Sequence, residues 1–157
     1  MIREANRNDV KHVLSLNRKL NEYKEKLNGY YLPKTTSEKV VSNYLAHALN
    51  FVVTSENEVL FVAEENGRII GYIAGSIEDR APIYKVEKRG DILMAFVLDE
   101  HRDQGIGREL TERIIKWFKE KGIEYVELSV DYRNELGYHV WKSLGFENFR
   151  VRMIRRI

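Results

Sequence analysis

The 157-residue chain contains no cysteine, and no apolar run approaches the ~18 residues that a membrane-spanning helix needs. The absence of cysteine excludes disulfides, thiolate zinc sites and a covalent acyl-cysteine intermediate. The polar start MIREAN does not resemble a signal peptide. These absences predict a cytoplasmic protein that has no membrane partner.

The chain also lacks a large excess of either charge, because 26 basic and 24 acidic side chains leave a formal net charge of +2. So small a charge does not indicate a nucleic acid partner. Four arginines cluster near the C-terminus, at positions 150, 152, 155 and 156. We expect them on the solvated face of a strand, with an acidic partner as the alternative. A domain usually has about 100–200 residues, so one domain is predicted over residues 1–157.

Hydrophobic periodicity predicts alternating strands and helices. The predicted strands cover residues 1–6, 59–64, 68–77, 91–98, 125–130 and 146–157. The first predicted helix begins after Asn8-Asp9 and ends near Asn28-Gly29, and a second begins with a capping box of Thr35 and Glu38. A third ends at Gly122, and a fourth covers Asn134–Leu144. This order predicts an α/β fold with three layers, in which helices cover both faces of a mixed sheet.

Glycines mark two further features of the predicted sheet. Asn66-Gly67 is a strong hairpin signal between the second and third strands. Gly71 and Gly75 lie inside the third strand, where glycine indicates a bulge or a close neighbour.

The segment HRDQGIGREL, residues 101–110, lies between a predicted strand and a predicted helix. Backbone N–H groups at such a helix start bind anions, and glycine lets a ligand approach the backbone closely. A P-loop is excluded because Gly107 is not followed by Lys-Ser/Thr. A dinucleotide site remains an alternative, with Glu127 as its ribose-binding acid, although Leu110 replaces the third glycine. A turn that binds nothing is the other alternative.

Two motifs resemble the signatures of the GCN5-related N-acetyltransferases (GNAT). RDQGIG, residues 102–107, is similar to the Arg/Gln-x-x-Gly-x-Gly/Ala signature, and NELGYHVWKSLGF, residues 134–146, is similar to the second signature. The order of the predicted elements also resembles that family over nearly the whole chain. The resemblance implies a mostly antiparallel sheet that splays at its central parallel pair, here residues 91–98 and 125–130.

The resemblance implies acetyl-CoA as co-substrate and no metal. The residues that it would place at the pyrophosphate are Arg102, Asp103, Gln104, Gly105, Ile106, Gly107 and Arg108. The backbone of Ala95, Phe96 and Val97 would pair with pantetheine, and the Val97 amide would hold the thioester carbonyl. Asn134 matches an asparagine that contacts the pantetheine arm, or it is simply a helix N-cap.

The implied reaction is direct acetyl transfer to an amine, which needs a base and allows an acid. Asp91 matches the catalytic glutamate of the histone-acetylating branch, and Glu127 on the other splayed strand is the second candidate. Ser129 occupies the position of the glutamate in the branch that acetylates a ribosomal protein, which argues against that branch. Trp141 replaces the acidic tyrosine of many members and is expected to pack on the cofactor arm or the core. Tyr138, or water, could donate the proton instead.

The predicted substrate side consists of the first two helices and their loop, where Tyr30 and Tyr31 are aromatic side chains suited to an amine. The four histidines, at 12, 47, 101 and 139, lack the spacing of a metal site. Two rival functions stay open at this point: a CoA-binding module without catalysis, and a nucleotide-binding oxidoreductase. Members of the family often dimerise, so a homodimer is compatible with the resemblance, but no interface follows from the sequence.

Overall fold

The computed structural model describes residues 1–32 and 38–157, so Thr35 and its predicted capping box lie outside the described residues. The elements, in chain order, are β1 (Ile2–Glu4), α1 (Val10–Leu27), α2 (Glu38–Val52), β2 (Glu58–Glu65), β3 (Arg68–Asp79), β4 (Lys88–Val97), α3 (Ile106–Glu120), β5 (Val126–Leu128) and α4 (Glu135–Ser143). Short 3-10 turns precede α1 and follow both α1 and β4.

The five strands form one sheet in the order β1-β2-β3-β4-β5. The first three pairings are antiparallel, and β4 with β5 is parallel. Asn66 and Gly67 connect β2 to β3 with φ values of 50° and 76°. Two consecutive positive φ angles are what a two-residue type I′ hairpin requires, so the hairpin predicted from Asn-Gly is confirmed.

Helices cover the two faces of the sheet. On one face, Asn17 of α1 donates a hydrogen bond from Nδ2 to the buried hydroxyl of Tyr72 on β3 at 2.9 Å. Neighbouring residues of a strand point to opposite faces. Gly71 accordingly faces Leu110 of α3, on the other side of the sheet. The mixed, mostly antiparallel sheet and its three-layer α/β arrangement are therefore as predicted.

The ring of Phe118 on α3 lies directly against two glycines of the sheet. A Cβ atom added at Gly75 would come 2.9 Å from this ring, and one added at Gly90 would come 2.6 Å from it. Phe118 itself is fully buried. The close neighbour predicted for Gly75 is confirmed, and the β3–β4 register also shifts between Ala74 and Gly75.

An ion-pair cluster fixes the first strand to the start of α1. The Arg3 guanidinium bonds both oxygens of Asp9, at 2.7 and 2.9 Å, and reaches Glu64 of β2 through Nε at 2.8 Å. The Asp9 carboxylate also accepts the backbone N–H of Asn6 at 2.9 Å. These bonds to Arg3 come first among the causes that lower the pKa of Asp9. Asp9 is thereby a buried charge that is paired and hydrogen-bonded.

Three strand predictions are corrected by the structure. The strands predicted at 1–6 and 125–130 are shortened to β1 and β5, each three residues long. Residues 146–157 form no strand, and Val151 and Met153 are 85% and 90% exposed. Alternating apolar and basic residues suit a strand, but a strand also needs a neighbouring backbone to pair with. The sheet described above places no such neighbour along this segment.

Candidate active site

The two parallel strands separate part of the way along β4. Only Gly90, Asp91 and Ile92 pair with β5, opposite Val126, Glu127 and Leu128, whereas β4 continues to Val97. Near this point, Ala74 is opposite Met94 and Gly75 is opposite Ile92, so Leu93 is an extra residue on β4. Such a β-bulge bends the strand that carries it. From Leu93 to Val97, β4 is thus unpaired with β5, and this stretch of its edge is the opening in the sheet.

Two backbone amides of β4 face this opening. Leu98 donates its N–H to the carbonyl of Ile70 on β3 at 2.9 Å. Hydrogen-bonded and non-hydrogen-bonded positions alternate along an antiparallel pair. Because Leu98 is a hydrogen-bonded position, Val97 and Ala95 are not, and their N–H groups point away from β3. Both N–H groups point to the side of β4 on which β5 lies, but β5 ends at Leu128 and does not pair with this part of β4.

The glycine turn exposes further N–H groups at the start of α3. Gly105 is the N-cap of this helix, with φ of 83°, and the first bond of the helix runs from the Glu109 N–H to the Gly105 carbonyl at 3.0 Å. The amides of Ile106, Gly107 and Arg108 therefore precede the helical ladder. A Cβ atom added at Gly105 or at Gly107 would meet no atom within 4 Å. The space over the turn is open, as an anion site requires.

The side chains of the turn attach it to the end of β4. Arg102 bonds Asp99 at 2.7 Å, donates from Nε to the Val97 carbonyl at 3.3 Å, and places its guanidinium 5.9 Å from the centre of the Phe96 ring. Gln104 donates to the Glu100 carbonyl at 3.3 Å. Asp103 has a φ of 59°, in the left-handed region. Arg102 thus fixes the geometry of the loop, a role that its position in the sequence does not reveal.

The candidate bases lie beside the point where the strands separate. Asp91 pairs in register with Ser76 on one side and with Glu127 on the other. Arg89 bonds Glu127 at 2.7 Å. Partial burial is the main cause that raises the pKa of Asp91; Arg89 lowers it, and the carboxylates of Glu127 and Glu78 raise it further. Asp91 is thus a carboxylate whose ionised form is disfavoured by burial, whereas Glu127 belongs to an ion pair with Arg89.

Both candidate aromatic residues of α4 have partners within the protein. Trp141 packs edge-on against Phe146, with ring centres 5.4 Å apart, and contributes to the edge of the hydrophobic core. This agrees with the predicted core packing. The Tyr138 hydroxyl accepts a hydrogen bond from Asn148 at 3.1 Å. The accepted bond leaves that hydroxyl able to donate its own proton.

The end of α1 and the turn after it contact the loop between β5 and α4. Tyr23 donates to Asn134 Oδ1 at 3.0 Å, and Arg133 donates to the Leu27 carbonyl at 3.0 Å. Burial, and then Asp131, its hydrogen-bond partner, raise the pKa of Tyr31. Tyr30 is 68% exposed and packs its ring edge against Tyr31. Tyr23 and Asp131 could not be singled out from the sequence, because no local pattern distinguishes them.

Asn134 is the N-cap of α4, because its Oδ1 accepts the Gly137 N–H at 2.9 Å. The predicted cap is therefore present, whereas a contact with pantetheine stays a prediction. Across residues 1–32 and 38–157 no group of three potential metal-ligating side chains occurs. The same part of the chain has no helix long and apolar enough to cross a membrane.

Comparisons with known proteins agree with this geometry. The family described as "Acetyltransferase (GNAT) family" matches residues 20–146. An uncharacterized N-acetyltransferase of Methanocaldococcus jannaschii is 33% identical over 114 residues, which cover 68% of this chain and 49% of that protein. An N-alpha-acetyltransferase of Sulfurisphaera tokodaii is 33% identical over 96 residues, 58% of either chain. The chain thus spans about half the length of these two relatives.

A solved structure shares the fold. A crystal structure of a predicted acetyltransferase from Clostridium acetobutylicum, determined with acetyl-CoA, superposes with a TM-score of 0.79. The two sequences are 24% identical, and the match covers 99% of this chain and 95% of the other.

Proposed function

Since the chain belongs to the acetyltransferase (GNAT) family, we propose that it transfers the acetyl group of acetyl-CoA to a primary amine of a small molecule or a peptide. The observation that carries this proposal is the opening between β4 and β5, followed along the chain by the glycine turn and the N–H groups at the start of α3. A relative from Sulfurisphaera tokodaii is an N-alpha-acetyltransferase, which supports an amine as acceptor. The hydrophobic cluster from Val10 to Ile123 supports one domain for the residues described.

The chain offers separate contacts for the two ends of the cofactor. The amides of residues 103 to 108 would bind the pyrophosphate, with Arg102 holding the turn in place and Arg108 adding positive charge. The side of β4 that faces the opening would pair with the pantetheine amides as an added strand does. Acetyl-CoA bound there supplies an activated acetyl group, whose carbonyl carbon forms the new C–N bond as the C–S bond breaks.

The register favours Ala95 rather than Val97 as the donor to the thioester carbonyl. The anion site at α3 fixes the phosphate end of the cofactor beyond Val97, so the arm must run back along β4 toward Ile92. The thioester then lies at the far end of the arm, nearest the point of separation and Asp91. The Ala95 amide faces the opening at that end, and the Val97 amide is left for pantetheine.

Asp91 is the proposed general base. An alkyl amine has a pKa near ~10.4 and is mostly protonated at neutral pH, so a carboxylate must accept its proton, directly or through water. In this proposal the nitrogen attacks the thioester directly, and an acyl-cysteine intermediate is excluded because the chain has no cysteine. Glu127 is the weaker candidate, since its carboxylate is bonded to Arg89.

A dedicated acid contributes little in this proposal. The indole of Trp141 is not acidic enough to donate a proton, and its ring packs on Phe146. A thiol leaving group has a pKa near ~8.5, so water or the Tyr138 hydroxyl is sufficient. The exposed ring of Tyr30 and the partly exposed ring of Tyr31 are the proposed contacts for the acceptor.

Calorimetric titration with acetyl-CoA tests the cofactor site. Gly107 suits the experiment because its Cβ direction is open and its φ is not positive. Gly107→Glu puts a carboxylate among the amides that would hold phosphate, while Gly107→Ala adds only a methyl group. We expect the wild type and Gly107→Ala to bind and Gly107→Glu to bind at least about tenfold more weakly, a loss of about 1.4 kcal/mol.

A wild type that binds no acetyl-CoA would refute the proposal. Equal binding by Gly107→Glu would show that the cofactor lies elsewhere. Binding without turnover on a panel of primary amines would support the rival function, a CoA-binding module without catalysis. Thermal stabilisation of the protein by NADH instead of CoA would support the other rival function, a nucleotide-binding oxidoreductase.

A further inference from the structure

One oxygen of Asn134 accepts two hydrogen bonds. The Gly137 N–H reaches Oδ1 at 2.9 Å, and the Tyr23 hydroxyl reaches the same atom at 3.0 Å. The first bond caps α4, whereas the second comes from α1, 111 residues away. An amide oxygen has two lone pairs, so both are used. The amide nitrogen, with two N–H donors, is what Asn134 can offer to a ligand.

Gly137 leaves the room in which this side chain lies. A Cβ atom added at Gly137 would meet Nδ2 of Asn134 and would come 2.8 Å from its Cγ. Gly137 lies in the first turn of α4, where glycine usually lowers helix stability relative to alanine. The absence of a side chain at Gly137 therefore leaves space for the Asn134 amide at the start of α4, although glycine is a poor helix-forming residue.

We propose that Tyr23 is a positioning residue for the cofactor: with Gly137, it fixes the Asn134 amide so that its N–H groups face the pantetheine arm of CoA. The inference rests on the proposed function and adds a residue of α1 to the cofactor side of the site. Because Asn134 presents donors, the group that it recognises is a carbonyl oxygen, as in the amides of pantetheine.

Other contacts hold the surrounding loop without Tyr23. Arg133 donates to the Leu27 carbonyl at 3.0 Å, and Asp131 is a hydrogen-bond partner of Tyr31. Both join the β5–α4 loop to the end of α1 or to the turn that follows it. Removing the Tyr23 hydroxyl should thus remove one of the two bonds that hold the Asn134 side chain, with the Gly137 bond and the loop left in place.

The test measures the Kd for CoA by calorimetry in Tyr23→Phe and in Gly137→Ala. Tyr132→Phe is the matched control, because Tyr132 belongs to the same loop and is 96% exposed. A single hydrogen bond corresponds to a change in Kd of about 3- to 10-fold. We expect this weakening in both test variants and no change in the control. With acetyl-CoA, KM should rise in Tyr23→Phe while kcat at saturation and Tm stay unchanged.

Two results would overturn the inference. The first is CoA binding at wild-type affinity by both Tyr23→Phe and Gly137→Ala. It counts when the wild type binds CoA and Gly107→Glu binds it more weakly. That result leaves the proposed function intact. The second concerns Tyr23→Phe introduced into an Asn134→Ser background. If it weakens CoA binding there by the same factor as in the wild type, Tyr23 acts independently of Asn134. A wild type that binds no CoA refutes the proposed function and this inference with it.

Discussion

Asp91 and Glu127 are register partners on the two parallel strands, and the guanidinium of Arg89 forms a 2.7 Å ion pair with Glu127. The two carboxylates are thereby given different environments. The Glu127 carboxylate is held in an ion pair, whereas partial burial raises the pKa of the Asp91 carboxyl. This difference supports Asp91, the first candidate from the sequence, as the proposed base.

Asp91→Asn should lower kcat/KM for an amine acceptor about 10²- to 10⁴-fold, the usual contribution of a general base. Glu127→Gln should cost less than about tenfold, because the lost ion pair is partly exposed. Steady-state kinetics at saturating acetyl-CoA measure both. A larger loss in Glu127→Gln than in Asp91→Asn would exchange the two roles.

The pH dependence of kcat/KM should report the Asp91 carboxyl. Its pKa is raised, chiefly by burial, so activity is lost as the pH falls through that raised value. Glu78→Gln removes a carboxylate that raises this pKa and should move the acid limb to lower pH. Arg89→Met removes a cation that lowers it and should move the limb to higher pH. The same amine is used for every variant, so the titration of the amine affects all of the pH profiles equally. An acid limb that does not move in either variant would contradict Asp91 as the base.

Gly90→Ala should destabilise the protein by about 1–3 kcal/mol, because the new methyl group would come 2.6 Å from the buried Phe118 ring. Urea unfolding gives the change in the free energy of unfolding. Phe118→Leu should recover part of this loss, so the double variant is less destabilised than the sum of the single ones. Strict additivity would show that the ring is not the obstacle.

Asp9→Asn should lower the free energy of unfolding by about 1–3 kcal/mol at pH 7, since the bonds to Arg3 lose their charge. The pKa of Asp9 is lowered in the folded state. Its contribution is therefore present above the unfolded pKa of about 3.9 and is lost as the pH falls through the folded value. The difference between variant and wild type should shrink in acid. Glu4→Gln, at an exposed position of β1, is the control and should change stability by less than about 0.5 kcal/mol.

Features that depend on a few adjacent residues could be predicted from the sequence. Asn66 and Gly67 adopt the two positive φ angles of the hairpin, and Gly122 ends α3 with φ of 76°. Asn134 caps α4 as its side chain suggests. In each case the residue type restricts the local backbone or satisfies a neighbouring N–H, so distant parts of the chain matter little.

Features that depend on distant parts of the chain could not be predicted in this way. The Tyr23 bond to Asn134 joins residues 111 positions apart, and no neighbouring residue of Tyr23 indicates such a partner. The segment at 146–157 has the alternation of a strand, yet strand formation depends on a backbone to pair with. The ion pair between Arg89 and Glu127, which supports Asp91 as the proposed base, joins residues 38 positions apart and has no local sequence signal.

The separation of β4 from β5 also makes hydrogen exchange a direct probe of the site. The amides of Ala95 and Val97 face away from β3, so their exchange rates depend on what lies in the opening rather than on the stability of the β3–β4 pairing. The neighbouring amides of Phe96 and Leu98, bonded to β3, serve as internal references on the same strand. Slower exchange at the first pair alone, on adding CoA, would locate the pantetheine arm residue by residue without any assay of turnover.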